Sequence, residues 1–349
     1  MVSMKRTSLS LVSGACLVAT ALAANLTVYQ SNVSFVPVPL PAPGATSNFE
    51  AIIEQFTTLG RSTVWRSVKN ITFQGDTGEP EGMVVINETR IITARGDWTA
   101  PTTSYNGTII NGTDRAPGAG YGHLEIYDGE GKRVVDATLT PPGDIEYHIG
   151  GIDYDGQYIW ATLAQYRPNT TATIVAVNPL TMDYQPLFHY ADHLGGIVHD
   201  TKLGRLNTLN WGSRNASIWN LNATSNNPYP AFSTPSSVVK NPSFYVDYQD
   251  CKFLGHSKHY DFRAVIICSG VATLPGNITI GGLALVDFDT MIPLYEVPIT
   301  MTSSKGTPLT QNPFDVAYVN ETLRMYFLPD QHNSTLYIYE PVRNSPYEY

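Results

Sequence analysis

The chain has 349 residues, a formal net charge of −9, and only 15% charged residues. An average soluble domain carries roughly 25%. No basic stripe is present that could neutralise phosphate groups, so the composition argues against a nucleic-acid partner.

The amino terminus has the pattern of a signal peptide. Lys5 and Arg6 precede an apolar stretch over residues 9–21, which ends in the small-residue pattern Ala-Leu-Ala at 21–23. This stretch is short for a bilayer, and no later run approaches the roughly 20 apolar residues that a membrane helix needs. We therefore expect residues 1–23 to be removed, and the mature protein to be in the secretory pathway or extracellular, with no membrane span.

Glycosylation sequons and cysteines fit the same compartment. Cys16 leaves with the signal peptide, and Cys251 and Cys268 remain, so we predict a disulfide between them in an oxidising environment. The sequence also predicts a glycoprotein, because an Asn-x-Ser/Thr triplet begins at many positions. These are Asn25, Asn32, Asn70, Asn87, Asn106, Asn111, Asn169, Asn215, Asn222, Asn277, Asn320 and Asn333.

Residues 24–60 read as an extension that contains one short helix. Ser47 and Glu50 have the spacing of a capping box, and Phe49, Ile52 and Phe56 recur at helical spacing. After this helix the chain consists of short β-type runs separated by Gly, Pro, Asn and Asp turns. Residues 61–349 are therefore expected to form an all-β domain.

A period of about 45 residues indicates a β-propeller. Gly-Gly-Ile-Asp-Tyr-Asp at 150–155 returns as Gly-Gly-Ile-Val-His-Asp at 195–200, and weaker copies begin near residues 81, 242 and 313. One four-stranded blade has about this length, so the sequence predicts five blades. The fifth repeat ends early, and residues 64–73 can supply its outer strand and close the ring. A two-sheet sandwich is the alternative, but the chain is long for one and no linker divides it.

The repeats also predict where side chains converge. In a propeller, inner strands begin at one mouth of the channel and the loops between second and third strands return there. We therefore predict a pocket at this mouth, rich in Arg, His and aromatic groups. Its residues are Glu81, Arg95, Trp98, His148, Tyr166, Arg167, His193, Trp211, Arg214, Gln331 and His332.

Several chemistries can be compared with this set. A propeller glycosidase needs two suitably placed carboxylates, which the strand starts match poorly. A calcium-dependent hydrolase would need oxygen ligands such as Glu81, Asn241, Asn312 and Asp315 around one ion. No serine nucleophile motif, nucleotide-binding glycine loop or His-Glu-x-x-His signature is present. The set favours binding and polarising a conjugated or enolic substrate, with no cofactor or metal.

Four segments carry a resemblance to a known family. His-Ile-Gly-Gly-Ile-Asp-Tyr-Asp-Gly at 148–156, Ala-Gln-Tyr-Arg-Pro-Asn at 164–169, His-Leu-Gly-Gly at 193–196 and Leu-Asn-Trp-Gly at 209–212 resemble a β-propeller family of secreted fungal and bacterial proteins, mostly of unassigned function. Its fungal relatives include hetero-Diels-Alderases of tropolone sesquiterpenoid pathways, which join a tropolone quinone methide to a humulene-type olefin.

The resemblance implies a cofactor-free pericyclase of meroterpenoid secondary metabolism, acting on two small hydrophobic substrates. His148, His193, Arg167 and Arg214 would then be catalytic hydrogen-bond donors, and the remaining pocket residues would bind substrate. The family provides no diagnostic catalytic motif. A non-catalytic ligand- or sugar-binding propeller and a metal-assisted propeller hydrolase remain alternatives.

Overall fold

The computed structural model describes residues 21–60, 62–224, 230–245 and 247–342. Most of the expected signal peptide therefore lies outside the described residues. The described chain begins with strand β1 (Asn25–Val28), helices α1 (Gly44–Ser47) and α2 (Phe49–Phe56), and strand β2 (Trp65–Thr72).

The first two blades follow in chain order. Blade 1 consists of β3 (Glu79–Ile86), β4 (Arg90–Ala100), β5 (Ala119–Asp128) and β6 (Arg133–Thr138), and β1 pairs with the outer edge of β6. Blade 2 has an inner strand in two pieces, β7 (His148–Ile149) and β8 (Asp153–Tyr154), followed by β9 (Ile159–Ala164), β10 (Ala172–Val177) and β11 (Tyr184–Tyr190).

Blades 3 and 4 are four-stranded antiparallel sheets. Blade 3 consists of β12 (Gly196–Asp200), β13 (Arg205–Leu209), β14 (Asn215–Asn220) and β15 (Ser237–Lys240), and a short helix α3 (Leu221–Thr224) follows β14. Blade 4 consists of β16 (Asp247–Ser257), β17 (Arg263–Leu274), β18 (Ile278–Asp287) and β19 (Pro293–Ile299). Single 3-10 turns cover Trp211–Ser213 and Lys258–Tyr260.

Blade 5 closes the ring with the amino-terminal strand. Strands β20 (Phe314–Val319), β21 (Thr322–Phe327) and β22 (Thr335–Pro341) come from the end of the chain, and β2 pairs with β22 as the outermost strand. The predicted five-bladed β-propeller and its closure by residues 64–73 are confirmed. This pairing joins the two ends of the chain within one blade and so closes the ring.

The repeated glycines bring neighbouring inner strands together around the axis. A Cβ atom on Gly150 would lie 2.0 Å from the carbonyl oxygen of Gly195, and one on Gly82 would lie 2.4 Å from that of Gly150. Only glycine permits backbones to approach so closely. The period of about 45 residues in the sequence therefore reflects the repeated need for glycine where the inner strands crowd around the axis.

The space between blades is filled by apolar residues from facing sheets. Every side chain of β9 and β10 is buried. Both faces of these strands are covered, so they read as continuous apolar runs rather than as alternating patterns. The five blades are thus held by five apolar clusters.

Three predictions about local structure were wrong. Helix α2 is preceded by Asn48, and Ser47 makes no cap: its hydroxyl donates to the Pro43 carbonyl, while Glu50 accepts from Ser257 and Lys258. The helix expected to be the only one is accompanied by α1 and α3. The repeat pattern predicts the fourth strand of the third repeat around residues 231–232, but the outer strand of blade 3 is β15, because β14 pairs with residues 237–240.

Cys251 and Cys268 form the predicted disulfide. The two residues are directly opposite each other on β16 and β17, with an S–S distance of 2.02 Å. All twelve sequon asparagines lie at the surface, and Asn215 is the only partly buried one among them. Their glycosylation remains a prediction. In the part of the chain that is described, no helix has the length and apolar character to cross a bilayer.

Candidate functional site

A cavity of about 260 Å³ lies at the mouth where the inner strands begin. It is open to solvent and receives residues from all five blades. Its wall consists of Glu79, Glu81, His148, Tyr166, His193, Gly195, Asn210, Trp211, Gly212, Ser213, Asp247, Tyr248, Gln249, Gln311 and Asn312.

One side of the cavity is aromatic. The rings of Tyr166 and Trp211 have centroids 5.3 Å apart in an edge-to-face arrangement, and Trp98 at the rim is 6.1 Å from Tyr166. Trp98 is about half exposed. The guanidinium carbon of Arg115 lies 4.8 Å above the Trp211 ring, a cation–π contact. These rings offer flat faces to a planar or apolar ligand.

His193 is a neutral hydrogen-bond acceptor in this wall. Its Nδ1 lies 2.6 Å from the carbonyl oxygen of Gln165, so Nδ1 carries the proton and donates to that carbonyl. Burial, together with the neighbouring His148, lowers the pKa of His193 to about 3. The other nitrogen, Nε2, therefore keeps its lone pair, and it lies above Gly195 in the cavity wall.

His148 is buried, and neither of its ring nitrogens has a hydrogen-bond partner. Its ring stacks obliquely on Tyr166, with centroids 4.8 Å apart. Its Nε2 is 3.7 Å from Oε1 of Glu81, which is longer than a hydrogen bond. Unpartnered buried polar groups are costly in a folded protein. A ligand in the cavity could satisfy them.

Glu79 supplies a carboxyl group that is easily protonated. Burial is the main cause of its raised pKa, and repulsion from Glu81 adds to it, so that the pKa reaches about 7. The side-chain amide of Gln331 donates to Oε1 of Glu79. A carboxylic acid that stays neutral near pH 7 can donate a hydrogen bond to a ligand oxygen.

Only some of the predicted site residues line the cavity. Glu81, His148, Tyr166, His193 and Trp211 line the cavity, Trp98 lies at its rim, and Gln331 contacts it through Glu79.

The predicted arginines and His332 lie outside the cavity wall. The guanidinium of Arg167 donates to the Gln165 side chain at 2.7 and 2.9 Å, and Arg214 lines a neighbouring cleft. Arg95 is buried inside blade 1 and pairs with Glu125 at 3.2 Å. His332 is exposed and lies 3.0 Å from Asp76. The sequence predicts these residues near the mouth. In the structure Arg95, Arg167 and His332 have partners of their own, and Arg214 lines the neighbouring cleft.

Several residues of the cavity wall, and Arg115 beside it, were missed by the sequence analysis. Asp247 and Gln249 begin β16, whereas the inner strand of the fourth repeat was expected to start at Pro242. Their alternation with Tyr248 was the available signal. Arg115 comes from the long connection 101–118 between β4 and β5, and no repeat position corresponds to it. The repeat pattern also predicts Ser269 in the loop after the second strand of the fourth repeat. It is instead buried within β17, because that strand continues to Leu274.

Of the oxygen ligands considered for a calcium-dependent hydrolase, Glu81 and Asn312 line the cavity, whereas Asn241 and Asp315 do not. Asn241 donates to the Ser213 carbonyl, and Asn312 donates to the Pro329 carbonyl. Asp315 accepts from the backbone of Val85 at 2.6 Å. Within the described ranges, no three His, Cys, Asp or Glu side chains are grouped as a metal site.

Fold and site together define a five-bladed β-propeller with one aromatic and acidic cavity at its axial mouth. The chain belongs to DUF6454, a family of unknown function, whose match covers residues 39–345. No curated protein is detectably similar to it in sequence.

Solved structures with similar chain paths are distant in sequence. A tail fibre of a Staphylococcus aureus phage has a TM-score of 0.42 and 8% identity, over 84% of this chain and 56% of that one. A protein of unknown function from Dyadobacter fermentans has a TM-score of 0.41 and 11% identity, over 75% and 76%. A glucose dehydrogenase has a TM-score of 0.38 and 10% identity, over 74% and 78%. Identities this low carry no information about activity.

Proposed function

We propose that this protein is a cofactor-free hetero-Diels-Alderase that joins a tropolone quinone methide to a humulene-type olefin. In the reaction one C–C and one C–O bond form from the heterodiene and the alkene. All atoms are retained, and no proton, electron pair or leaving group is released. The catalyst has to orient two partners and to stabilise the oxygen on which electron density accumulates.

The observation that carries the proposal is the meeting of flat aromatic faces with unpartnered polar groups. Tyr166 and Trp211 offer ring faces, and His148 has two buried nitrogens without partners. A tropolone ring is flat and carries several oxygens, so it matches both features. Its oxygens would accept from the neutral Glu79 carboxyl group or from a His148 N–H, and a ring hydroxyl would donate to Nε2 of His193.

Different parts of the cavity are proposed to receive the two substrates. Glu79, Glu81 and Asn210 surround the space proposed for the oxygenated ring, whereas Trp98 lies at the rim. The apolar olefin would approach from the mouth, where aromatic faces are exposed. Stabilisation of the developing charge by one such donor is worth about 2 to 4 kcal/mol in enzymes.

The proposal is tested with the secreted full-length protein, a quinone methide precursor and a humulene-type olefin. His148→Ala and Glu79→Ala are each expected to lower turnover or stereoselectivity by a factor of about 100 while the circular dichroism spectrum is unchanged. Two surface variants serve as matched controls: His259→Ala and Glu130→Ala, whose side chains pair with Glu54 and Lys69 and do not line the cavity.

Two rival functions have distinct outcomes in the same experiment. The carboxylates and amides beside Trp211 would also suit a sugar, so binding on a glycan array together with no acceleration of the cycloaddition would favour a sugar-binding propeller. Loss of activity on chelation and recovery with calcium would favour a metal-assisted hydrolase. Either result would contradict the cyclase.

A further inference from the structure

A second cleft of about 270 Å³ lies beside the candidate cavity. It is lined by Arg214, Phe244, Asp247 and the four residues 271–274 at the end of β17. We propose that this cleft is the subsite for the uncharged olefin partner. The inference rests on the proposed function and assigns its second substrate to a separate place.

The cleft exists because a hairpin projects beyond its neighbouring strand. Strand β16 begins at Asp247, which pairs with Val271, whereas β17 and β18 remain paired to Leu274 and Ile278. In the described part of the chain, no strand pairs with residues 272–274 on their inner side. Their open side faces Phe244 and Arg214 across the cleft.

One side of the cleft offers apolar side chains, whereas Arg214, Asp247 and the exposed Thr273 line the rest of it. Phe244 is 57% exposed, Leu274 is partly exposed, and Val271 and Ala272 form a buried floor. An olefin would cover Phe244 and Leu274 and remove apolar surface from water. The cleft contains two groups of opposite charge, Asp247 and Arg214. Burial raises the pKa of Asp247, and the positive charge of Arg214 lowers it. A neutral ligand would leave that pair undisturbed.

Asp247 makes the two spaces neighbours, because it lines both the cavity and the cleft. A bimolecular cycloaddition requires both partners to be held in contact, and such positioning can replace much of the entropic barrier. A polar cavity for the oxygenated ring and the apolar side of the adjoining cleft for the olefin would provide this arrangement. The cleft also gives Arg214 a place at the substrate, although it is absent from the cavity wall.

The test compares two charge insertions on the same hairpin. Leu274→Glu places a carboxylate in the cleft, and its cross-strand partner Ile278, which is 59% exposed and does not line the cleft, gives the control Ile278→Glu. Binding of α-humulene alone is measured by rapid gel filtration and gas chromatography. Binding of tropolone alone is followed by its ultraviolet absorption.

Leu274→Glu is expected to weaken α-humulene binding and to raise the apparent KM for the olefin at least tenfold, with tropolone affinity unchanged. Phe244→Ala, at an exposed position, should act in the same direction and covers the case in which Leu274→Glu fails to fold. Unchanged α-humulene binding in the folded variants would overturn the subsite, even if cycloaddition proceeds. Selective loss of α-humulene binding in a protein without cyclase activity would keep the subsite and reject the proposed function.

Discussion

Glu79 is the cavity residue whose chemistry depends most on its surroundings. Its carboxyl group is largely buried beside Glu81, and these two effects raise its pKa to about 7. It is therefore protonated and able to donate below about pH 7, and ionised and unable to donate above it. The neighbouring His193, with a pKa lowered to about 3, stays neutral throughout this range.

The first prediction is a pH dependence of the cycloaddition. The rate should fall as pH rises through about 7, because ionisation of Glu79 removes a donor and adds negative charge near the ligand oxygen. Glu79→Gln keeps an N–H donor at every pH, so its profile should be flat between pH 5.5 and 8.5. Initial rates across this range provide the measurement. An inflection near pH 7 that persists in Glu79→Gln would assign the titration to another group.

At the scale of elements, a long connection shapes the mouth. The connection 101–118 of blade 1 carries Arg115 to the rings of blades 2 and 3, at 5.9 Å from Tyr166 and 4.8 Å from Trp211. Asn169 of blade 2 donates to the Gly112 carbonyl of the same connection at 2.6 Å. One loop therefore spans three blades above the cavity.

The second prediction concerns this loop. Arg115→Ala removes the cation that covers the Trp211 ring, and a cation–π contact is worth about 0.5 to 2 kcal/mol. Tropolone affinity should change by a factor of about 2 to 30, and the free energy of unfolding should fall by no more than about 2 kcal/mol. The quenching of tryptophan fluorescence by tropolone measures the affinity. An Arg115→Lys variant, which keeps the charge and loses the planar group, should lie between wild type and Arg115→Ala.

The third prediction concerns the hairpin of β16 and β17, which carries the disulfide. Cys251 and Cys268 are 17 residues apart, and closing a loop of this size stabilises a protein by about 3 kcal/mol. Replacing both by alanine should lower the free energy of unfolding by about this amount, as measured by urea denaturation. A reducing agent should destabilise the wild type to a similar degree and leave the double variant unaffected. A reducing agent that leaves the wild type unchanged would contradict the prediction.

At the scale of the whole molecule, a buried charge cluster closes the axis below the cavity. The Lys252 ammonium lies 2.7 Å from Asp250 and donates to the Ile152 carbonyl across the channel. Asp250 accepts from Met83 of blade 1, and Asp315 accepts from Val85.

Asp153 completes this cluster by accepting from His199 of blade 3. Burial raises the pKa of Asp153 to about 8, of Asp250 to about 7 and of Asp315 to about 6, although Lys252 lowers each of them. The cluster thus links all five blades through ionisable groups of blades 2, 4 and 5.

The fourth prediction follows from these raised values. The folded state binds protons that the unfolded state has released above pH 4, so the free energy of unfolding should fall as pH rises from about 5 to 8. In Lys252→Met the carboxyls lose their cation, and breaking such a buried pair costs about 3 to 5 kcal/mol. The loss should be greatest at pH 8 and smaller at pH 5. Urea denaturation at both values measures it, and a Lys252→Met/Asp250→Asn variant should recover part of the stability.

The features that the sequence predicted correctly depend on local or repeated requirements. Gly150 and Gly195 recur because every inner strand meets the same crowding at the axis, so the period was readable as a propeller. Strand β2 was recognisable because the fifth repeat lacked an outer strand. His148 and His193 were found because they occupy the same position of successive repeats, as do Tyr166 and Trp211, and repetition preserves their direction toward the mouth.

The remaining features depend on contacts between distant segments. Arg115 reaches Trp211 through a connection that no other blade has, and Asp247 faces the cavity because β17 projects beyond β16. Arg95 was expected at the mouth, but Glu125 on the adjacent strand binds it inside blade 1. The period of the strands in the sequence therefore determined which residues approach the axis. Which of these residues face the cavity was decided by the pairing of charges and by the lengths of individual hairpins, because both depend on the packed blades.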